Sequence, residues 1–409
     1  MVCCPLYHTH AGSKAVSIGW GGFGVVRNEL AMGEKSGRMA LKRYSFFVMR
    51  SILRLIGMVT IAVAAPVAVA DGGVRQTNAV VAECSDEAAG RLMEWRGLHV
   101  DVSRHFFGVE VLQRLMDRMA ELRYNRLHLH LTDGPGWRLE IKRYPRLTTV
   151  GAWRKMLSET AWNWSKHEIG NHFGECYGGY YTQDEMRALI AYGAERGIML
   201  VPEIDMPGHA YASLVAYPQF ALEPPPGCKL GRDVLAVSKP EVRRFVRDVL
   251  DEVMAIFPQG TPIHLGGDEV DTRLLSRELQ REFMQEMVDY VKGQGYPAIT
   301  WDEAACNGVR GQWVMLWRAE QMERVLAMGL PTILCPNSHF YFDYPQSLAE
   351  ARPGEHVISP ELVRSFRTPN MPHVMGLQGN LWTEHIRTEE RLFYMAFPRA
   401  EVLAELFDH

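Results

Sequence analysis

Two adjacent carboxylates close the stretch Ile263-His264-Leu265-Gly266-Gly267-Asp268-Glu269. A short apolar strand runs into two glycines there, so the backbone can turn sharply and present Asp268 and Glu269 side by side. Like charges at that spacing are costly unless a cation or a shared proton lies between them. Catalysis can use that tension, with one carboxyl held protonated as a general acid while its neighbour stays ionised. Taken alone, the pair reads more readily as the acidic first turn of a helix, where carboxylates face the positive end of the dipole. The rest of the chain decides for chemistry.

The elements that must position this pair alternate along the chain from Gly97 onward. Short apolar strands are expected at residues 97–102, 126–132, 199–204, 262–267, 298–302, 312–317, 332–336 and 375–382. Between them lie stretches with helical period. Val111, Leu112, Leu115, Met116, Met119 and Leu122 share one face; Val242, Phe245, Val246, Val249, Leu250 and Val253 share another; Leu275, Leu279, Phe283, Met287 and Val291 share a third. Thr182-Gln183-Asp184-Glu185 has the form of a capping box opening a further helix. Strand–helix units in this number predict a closed parallel (β/α)₈ barrel. The competing open sheet needs a glycine-rich phosphate loop after its first strand, and Asp101-Val102-Ser103-Arg104-His105 is not one.

In such a barrel, function gathers at the C-terminal ends of the strands. Those ends carry Asp101 and Arg104, His130 and Asp133, Glu203, Asp205 and His209, and then Asp268 and Glu269. They continue with Trp301, Asp302 and Glu303, Trp317, Tyr341 and Asp343, and Trp382 and Glu384. Carboxylates, an arginine and indoles suit a sugar, whose apolar faces stack on rings while its hydroxyls take charged partners. The sequence shows no zinc-ligand spacing and no nucleotide loop, so neither a metal nor another cofactor is expected. A net charge of −4 leaves no basic footprint for nucleic acid. Neighbouring carboxylates cannot easily flank a sugar ring from opposite faces, as ordinary glycoside hydrolysis requires. A substrate that brings its own nucleophile removes that difficulty.

The 409-residue chain divides by composition into four parts. A basic Met49-Arg50-Ser51-Ile52-Leu53-Arg54 precedes an uncharged apolar run over residues 55–70, which ends in Ala68-Val69-Ala70. This has the form of a signal peptide and is too short for a comfortable membrane span, so export to the periplasm or medium is expected. Translation is then expected to start at Met49, with residues 1–48 a disordered extension from an over-long reading frame. Residues 71–94 form a linker and residues 95–409 the barrel. Cys84, Cys176, Cys228, Cys306 and Cys335 are odd in number and have no pairing legible from spacing.

From Trp95 onward the chain resembles glycoside hydrolase family 20, the β-N-acetylhexosaminidases. The resemblance rests on an ordered series of motifs: Gly97-Leu98-His99-Val100-Asp101-Val102-Ser103-Arg104-His105-Phe106-Phe107, His128-Leu129-His130-Leu131-Thr132-Asp133, and Val201-Pro202-Glu203-Ile204-Asp205-Met206-Pro207-Gly208-His209-Ala210. It continues through residues 264–270, Trp301-Asp302-Glu303, Tyr341-Phe342-Asp343-Tyr344 and Leu381-Trp382-Thr383-Glu384. The resemblance implies retention by substrate assistance, with the 2-acetamido carbonyl attacking the anomeric carbon to give an oxazolinium ion. It implies Glu269 as general acid and base, and Asp268 as the group that orients the acetamide. Trp301, Trp317 and Trp382 would form the slot for its methyl group, and Tyr341 would hold its oxygen. Arg104 and Glu384 would grip the non-reducing end, and Asp343 the 6-hydroxyl. Asp133, Asp205 and His209 would stand behind Glu269, whose proton an ionised Asp268 should help retain. His128 is read as structural, on the far side of its strand. A pocket closed around the chain end implies exo action on glycans or chitin oligomers ending in N-acetylglucosamine or N-acetylgalactosamine.

The chain departs from the family pattern in three places. Gly134-Pro135 stands where relatives commonly carry Asp-Gln. Residues 71–94 are too few for the accessory α+β domain many relatives have, so the barrel is expected without a full-size one and with a flank that a second copy could cover. Pro398 is expected to break or shorten the closing helix. Two alternatives share the same rim: a silent N-acetylglucosamine-binding barrel, and a related enzyme releasing disaccharides.

Overall fold

The computed structural model describes residues 92–156, 168–224 and 233–408. The leader, the segment before it, most of the linker, Cys84 and Cys228 lie outside the described residues. Eight strands close into one parallel barrel: β1 (Trp95–Asp101), β2 (Arg126–His130), β3 (Met199–Met206), β4 (Ile263–Gly266), β5 (Ala298–Trp301), β6 (Trp313–Leu316), β7 (Thr332–Leu334) and β8 (Val374–Leu381). They follow one another around the barrel in chain order, and β8 pairs back onto β1. Every expected strand is present.

The helices form because their apolar residues recur at helical spacing and need a surface to cover. In α1 (Val109–Glu121) the buried residues are Leu112, Leu115, Met116 and Met119. The α2 helix (Gln183–Ala194) opens with the expected capping box: Thr182 Oγ1 accepts from the Glu185 N–H at 3.1 Å, and the Glu185 carboxylate accepts from the Thr182 N–H at 2.8 Å. All six residues of the periodic face expected in α3 (Pro240–Ile256) are buried, each such side chain contributing about 1.5–3 kcal/mol relative to exposure. In α4 (Arg277–Gly293) the face is built from Phe283, Met284, Met287, Val288 and Val291; Leu275 lies before the helix and is buried nonetheless.

The second half of the barrel has shorter covering helices. Its closing element is broken at Pro398 into α5 (Glu389–Ala396) and α6 (Arg399–Glu405), as proline requires. Arg399 is fully buried at the break, and its guanidinium donates to the carbonyls of Phe342 (2.5 Å), Tyr344 (2.7 Å) and Ile358 (3.1 Å). Arg138 does the same for the loop after β1, donating to the carbonyls of Val102 (2.9 Å) and Ser103 (2.6 Å) from one side and Ala152 (2.6 Å) from the other. Buried cations thus tie down two of the loops that carry rim residues.

The barrel interior has two characters. Around β5–β7 it is an apolar cluster of Ile299, Trp301, Met315, Ile333 and Cys335, joined by Trp95 and Val201. Around β1–β4 it is polar: His99, His128, His130, Glu203 and His264 are all 0–1% exposed. His128 therefore corrects the expectation. It points into the barrel, with Nε2 3.1 Å from Glu203, because His128 and His130 are two residues apart and so share one face of β2. The three cysteines among the described residues, Cys176, Cys306 and Cys335, are free thiols. Among the described residues, no helix is long and apolar enough to cross a membrane.

Candidate active site

Asp133 organises the charged side of the rim. Just past β2, a tight antiparallel pairing of Thr132–Asp133 with Gly136–Trp137 turns through Gly134-Pro135. The departure from the family pattern is thus a compact turn, with the Gly134 N–H donating to the Asp133 carboxylate. The other Asp133 oxygen meets three cationic groups: Arg104 Nη2 at 2.8 Å, His130 Nε2 at 3.0 Å and His209 Nδ1 at 3.1 Å. Burial opposes its ionisation, but Arg104, His209 and His130 outweigh it and hold its carboxyl well below the usual range. The reciprocal holds for His209, where Asp133 and Asp205 overcome burial and keep the ring protonated well above the usual histidine value.

His209 Nε2 then faces both candidate carboxylates, 3.8 Å from Asp268 and 3.7 Å from Glu269. The loop that carries them is set by backbone strain. Gly266 has φ +65°, and a Cβ there would lie 1.7 Å from Asp205 Oδ1; Gly267 has φ +93°. The Gly267 N–H donates to Asp205 Oδ1 at 3.3 Å. Glu269 and His209 are themselves left-handed, at φ 51° and 53°, a conformation seldom adopted by such residues except where surroundings enforce it. The two carboxylates diverge. Glu269 is about half exposed (48%), while Asp268 lies deep, and its Oδ1 has no hydrogen-bond partner in the protein.

Burial, reinforced by Asp205 and Glu269, pushes the Asp268 carboxyl well above its ordinary value. The nearest cation, His209, is 3.8 Å away and shared with Asp133, so it offsets that rise only in part. Asp205 is likewise pushed up to about 7, chiefly by burial.

The facing side is aromatic. Trp301 is 1% exposed and Trp382 lies 6.1 Å from it, ring centre to ring centre. Tyr341 is 6.1 Å from Trp382, and Trp317 stacks on Tyr341 at 6.1 Å. Four rings therefore form one continuous wall. Each indole at its ends is oriented by a carboxylate: Trp301 Nε1 donates to Glu203 at 2.7 Å and Trp317 Nε1 to Glu303 at 2.9 Å. Burial pushes the Tyr341 hydroxyl far above its ordinary value, so it is a neutral donor.

Arg104 joins the two sides. Its guanidinium sits 5.0 Å over the Trp382 ring, 3.6 Å from Asp101 and 3.7 Å from Glu384. Asp101 spends its remaining capacity on the N–H groups of Ser103, Arg104 and Thr383, which fixes the loops after β1 and β8. Asp343 lies beside Glu384, and burial together with that neighbour raises its carboxyl well above the usual range. The structure thus gathers every residue expected at the site around one mouth of the barrel. His130 and Glu203, expected at the rim, also reach one layer deeper, to His99, His128 and His264, which were not expected at the site. The signal was present as four histidines and a glutamate at inward positions of β1 to β4.

Several histidine and carboxylate atoms lie close enough together to suggest metal ligands, among them His128, Glu203 and His264. Their spacings of 2.7–3.1 Å suit shared protons better than an intervening ion, which would hold its ligands farther apart.

Residues 93–407 match the family model described as glycosyl hydrolase family 20, catalytic domain. A β-hexosaminidase of Porphyromonas gingivalis is 36% identical over 358 residues, covering 79% of this chain and 44% of that protein. A β-hexosaminidase of Vibrio furnissii is 32% identical, covering 76% and 56%. The chain spans about half the length of these curated relatives. Among solved structures, a family 20 exo β-N-acetylglucosaminidase of Vibrio harveyi in complex with N-acetylglucosamine superposes with a TM-score of 0.68 at 30% identity, covering 76% of this chain and 54% of that one.

Proposed function

The chain belongs to glycoside hydrolase family 20, and from that premise we propose that it is an exo-acting β-N-acetylhexosaminidase working with retention through an oxazolinium intermediate. One observation carries the reading. Asp268 and Glu269 stand side by side on one loop, both within 4 Å of a protonated His209, and the other side of the rim is a wall of four aromatic rings. Two carboxyl groups on one loop do not naturally flank a sugar from opposite faces, and the rings offer a slot for an acetamide that can attack in their place.

In the proposed reaction the acetamido carbonyl oxygen forms the bond to C1 as the C1–O bond to the leaving group breaks. Glu269 delivers its proton to the departing oxygen. Tyr341 donates to the acetamide oxygen, fixing its approach. An ionised Asp268 accepts from the acetamide N–H and offsets the positive charge that spreads over the oxazolinium ring. The acetamide supplies the donor that Asp268 Oδ1 lacks within the protein. Glu269 then takes a proton from water, whose oxygen attacks C1 and restores the acetamide. Arg104, Glu384 and Asp343 close the far end around the sugar hydroxyls, which favours single terminal residues. The Met49–Arg54 segment and the apolar run after it support export as the setting.

Turnover of an aryl N-acetyl-β-glucosaminide, and its loss on replacing the acetamido group by hydroxyl, tests the proposal. Equal rates on both substrates would overturn substrate assistance, and N-acetylglucosamine binding without any turnover would favour a silent barrel.

A further inference from the structure

Glu203 is a fully buried carboxylate near the barrel axis, below the rim. Its Oε2 lies 2.7 Å from His130 Nδ1 and 3.1 Å from His128 Nε2; its Oε1 lies 3.0 Å from His264 Nδ1 and accepts from Trp301 Nε1 at 2.7 Å. A buried anion needs this many partners to survive. The partners are not equivalent. His130 alone reaches the rim, placing Nε2 3.0 Å from Asp133, which meets His209, which in turn faces Glu269. Trp301 is itself part of the aromatic wall, which His130 also meets, 5.1 Å from Trp382 ring to ring. One carboxylate therefore touches both halves of the site without facing the pocket.

We propose that Glu203 is a positioning residue for the reaction assigned above: its negative charge holds His130 protonated and bridged to Asp133, so that Asp133 in turn holds His209 behind Glu269. The inference rests on the hexosaminidase reading only for its kinetic arm.

The surrounding charges agree. Burial opposes ionisation of Glu203, yet His264, His130 and His128 hold it well below the usual carboxylate range. Burial also opposes protonation of His130, but Glu203 and Asp133 outweigh it and the opposing Arg104. Two of the neighbouring histidines, His128 and His99, do not compete for the proton. Burial takes His128 down to about 4 and leaves His99 neutral. On the remaining sides stand Asp205 from β3, Asp268 from the loop after β4, and Cys335 from the end of β7, whose thiol burial keeps neutral. Charge alternates from Glu203 through His130 and Asp133 to His209 and Arg104.

Glu203→Gln isolates the charge, because glutamine keeps an acceptor for the Trp301 N–H. Removing an anion makes every coupled proton easier to lose, so the alkaline limb of kcat/KM moves to lower pH. At a separation of about 10 Å and an effective dielectric of about 20, the displacement is on the order of one pH unit. KM for the aryl N-acetyl-β-glucosaminide changes less than about threefold, as the acetamide wall keeps its anchor. Histidine-selective ¹⁵N spectra read the same link without turnover: an imidazolium that persists well above the ordinary histidine range in the wild type gives up its proton at lower pH in the variant. An active, folded Glu203→Gln with an unmoved alkaline limb overturns the proposal, as a purely structural role would lower Tm alone. A wild type that shows the imidazolium but hydrolyses nothing overturns the hydrolase reading and leaves the His130 link standing. If Glu203→Gln does not fold, His130→Gln removes the cation at the next position of the same chain and must move the limb the other way, to higher pH; an unmoved limb there overturns the proposal.

Discussion

The two halves of the barrel mouth are built to different rules. Strands β1 to β4 deliver Arg104, Asp133, Asp205, His209, Asp268 and Glu269, and the first five of these shift one another's protonation. Strands β5 to β8 deliver Trp301, Trp317, Tyr341 and Trp382, whose positions depend on packing and on single N–H donations. The division continues downward, with histidines and Glu203 beneath the first half and Ile299, Met315 and Ile333 beneath the second. Electrostatic groups work best in a preorganised network that cannot reorient, and an apolar slot needs only shape and dryness. Substitutions in the first half should therefore change kcat and its pH dependence, and those in the second should change KM alone.

The hardest test of that division is Glu269→Gln. Loss of the general acid is expected to lower kcat by about 10²–10⁴-fold on an aryl glycoside with a poor leaving group. Stability should move by less than about 0.5 kcal/mol, because the side chain is half exposed. A variant with normal kcat would remove Glu269 from the acid role. Arg104→Ala comes next and reads as a loss of folding free energy. It strips a cation from buried Asp133, Asp101 and Glu384, and His130 and His209 compensate only the first of these. A loss of about 3 kcal/mol in denaturant unfolding is expected for breaking a buried ion pair. Less than about 1 kcal/mol would mean that the charged half is not a connected network.

Most of this division was legible in the chain, for physical reasons. Strand ends show as a change from apolar residues to Asp, Glu, His or Trp, because the core demands the first and the rim permits the second. Asp133, Asp268 and Trp382 were found that way. The capping box at Thr182 and the break at Pro398 were legible because each depends on residues adjacent in sequence. The protonation states were not. Asp268 and Glu269 are neighbours in sequence, and only the left-handed turn at Gly266, Gly267 and Glu269 sends one inward and the other toward solvent. The inward side of His128 was misjudged for a related reason: its partner Glu203 is 75 residues away on β3, and only the barrel register brings them together.

A smaller effect separates the carboxylates within the charged half. Asp268 must be ionised to accept from the acetamide N–H, so activity falls as pH drops through its elevated pKa. Asp205 titrates with it as a pair, and its charge is the leading electrostatic cause of that elevation after burial. Asp205→Asn keeps an acceptor for the Gly267 N–H and removes the charge. Asp268 then loses its proton more readily, and the acid limb of kcat/KM shifts to lower pH. A shift to higher pH, or none, would show that Asp268 is not the group whose ionisation switches activity on.

The smallest effect belongs to the aromatic half and is the sharpest check on the comparison. Trp317→Phe keeps a ring stacked on Tyr341 and deletes the N–H that donates to Glu303. One such bond is worth about 1 kcal/mol, so KM for the N-acetyl substrate should rise by about fivefold. Glu303 has its carboxyl pushed well above the usual range by burial, Asp302 and Asp268. Losing a donor favours its neutral form further, in the direction burial already drives it. No charge near Asp268 therefore changes, and both limbs of the pH profile should stay where they are. If the profile of Trp317→Phe moves with its KM, Glu303 carries charge into the pocket and the two halves act as one.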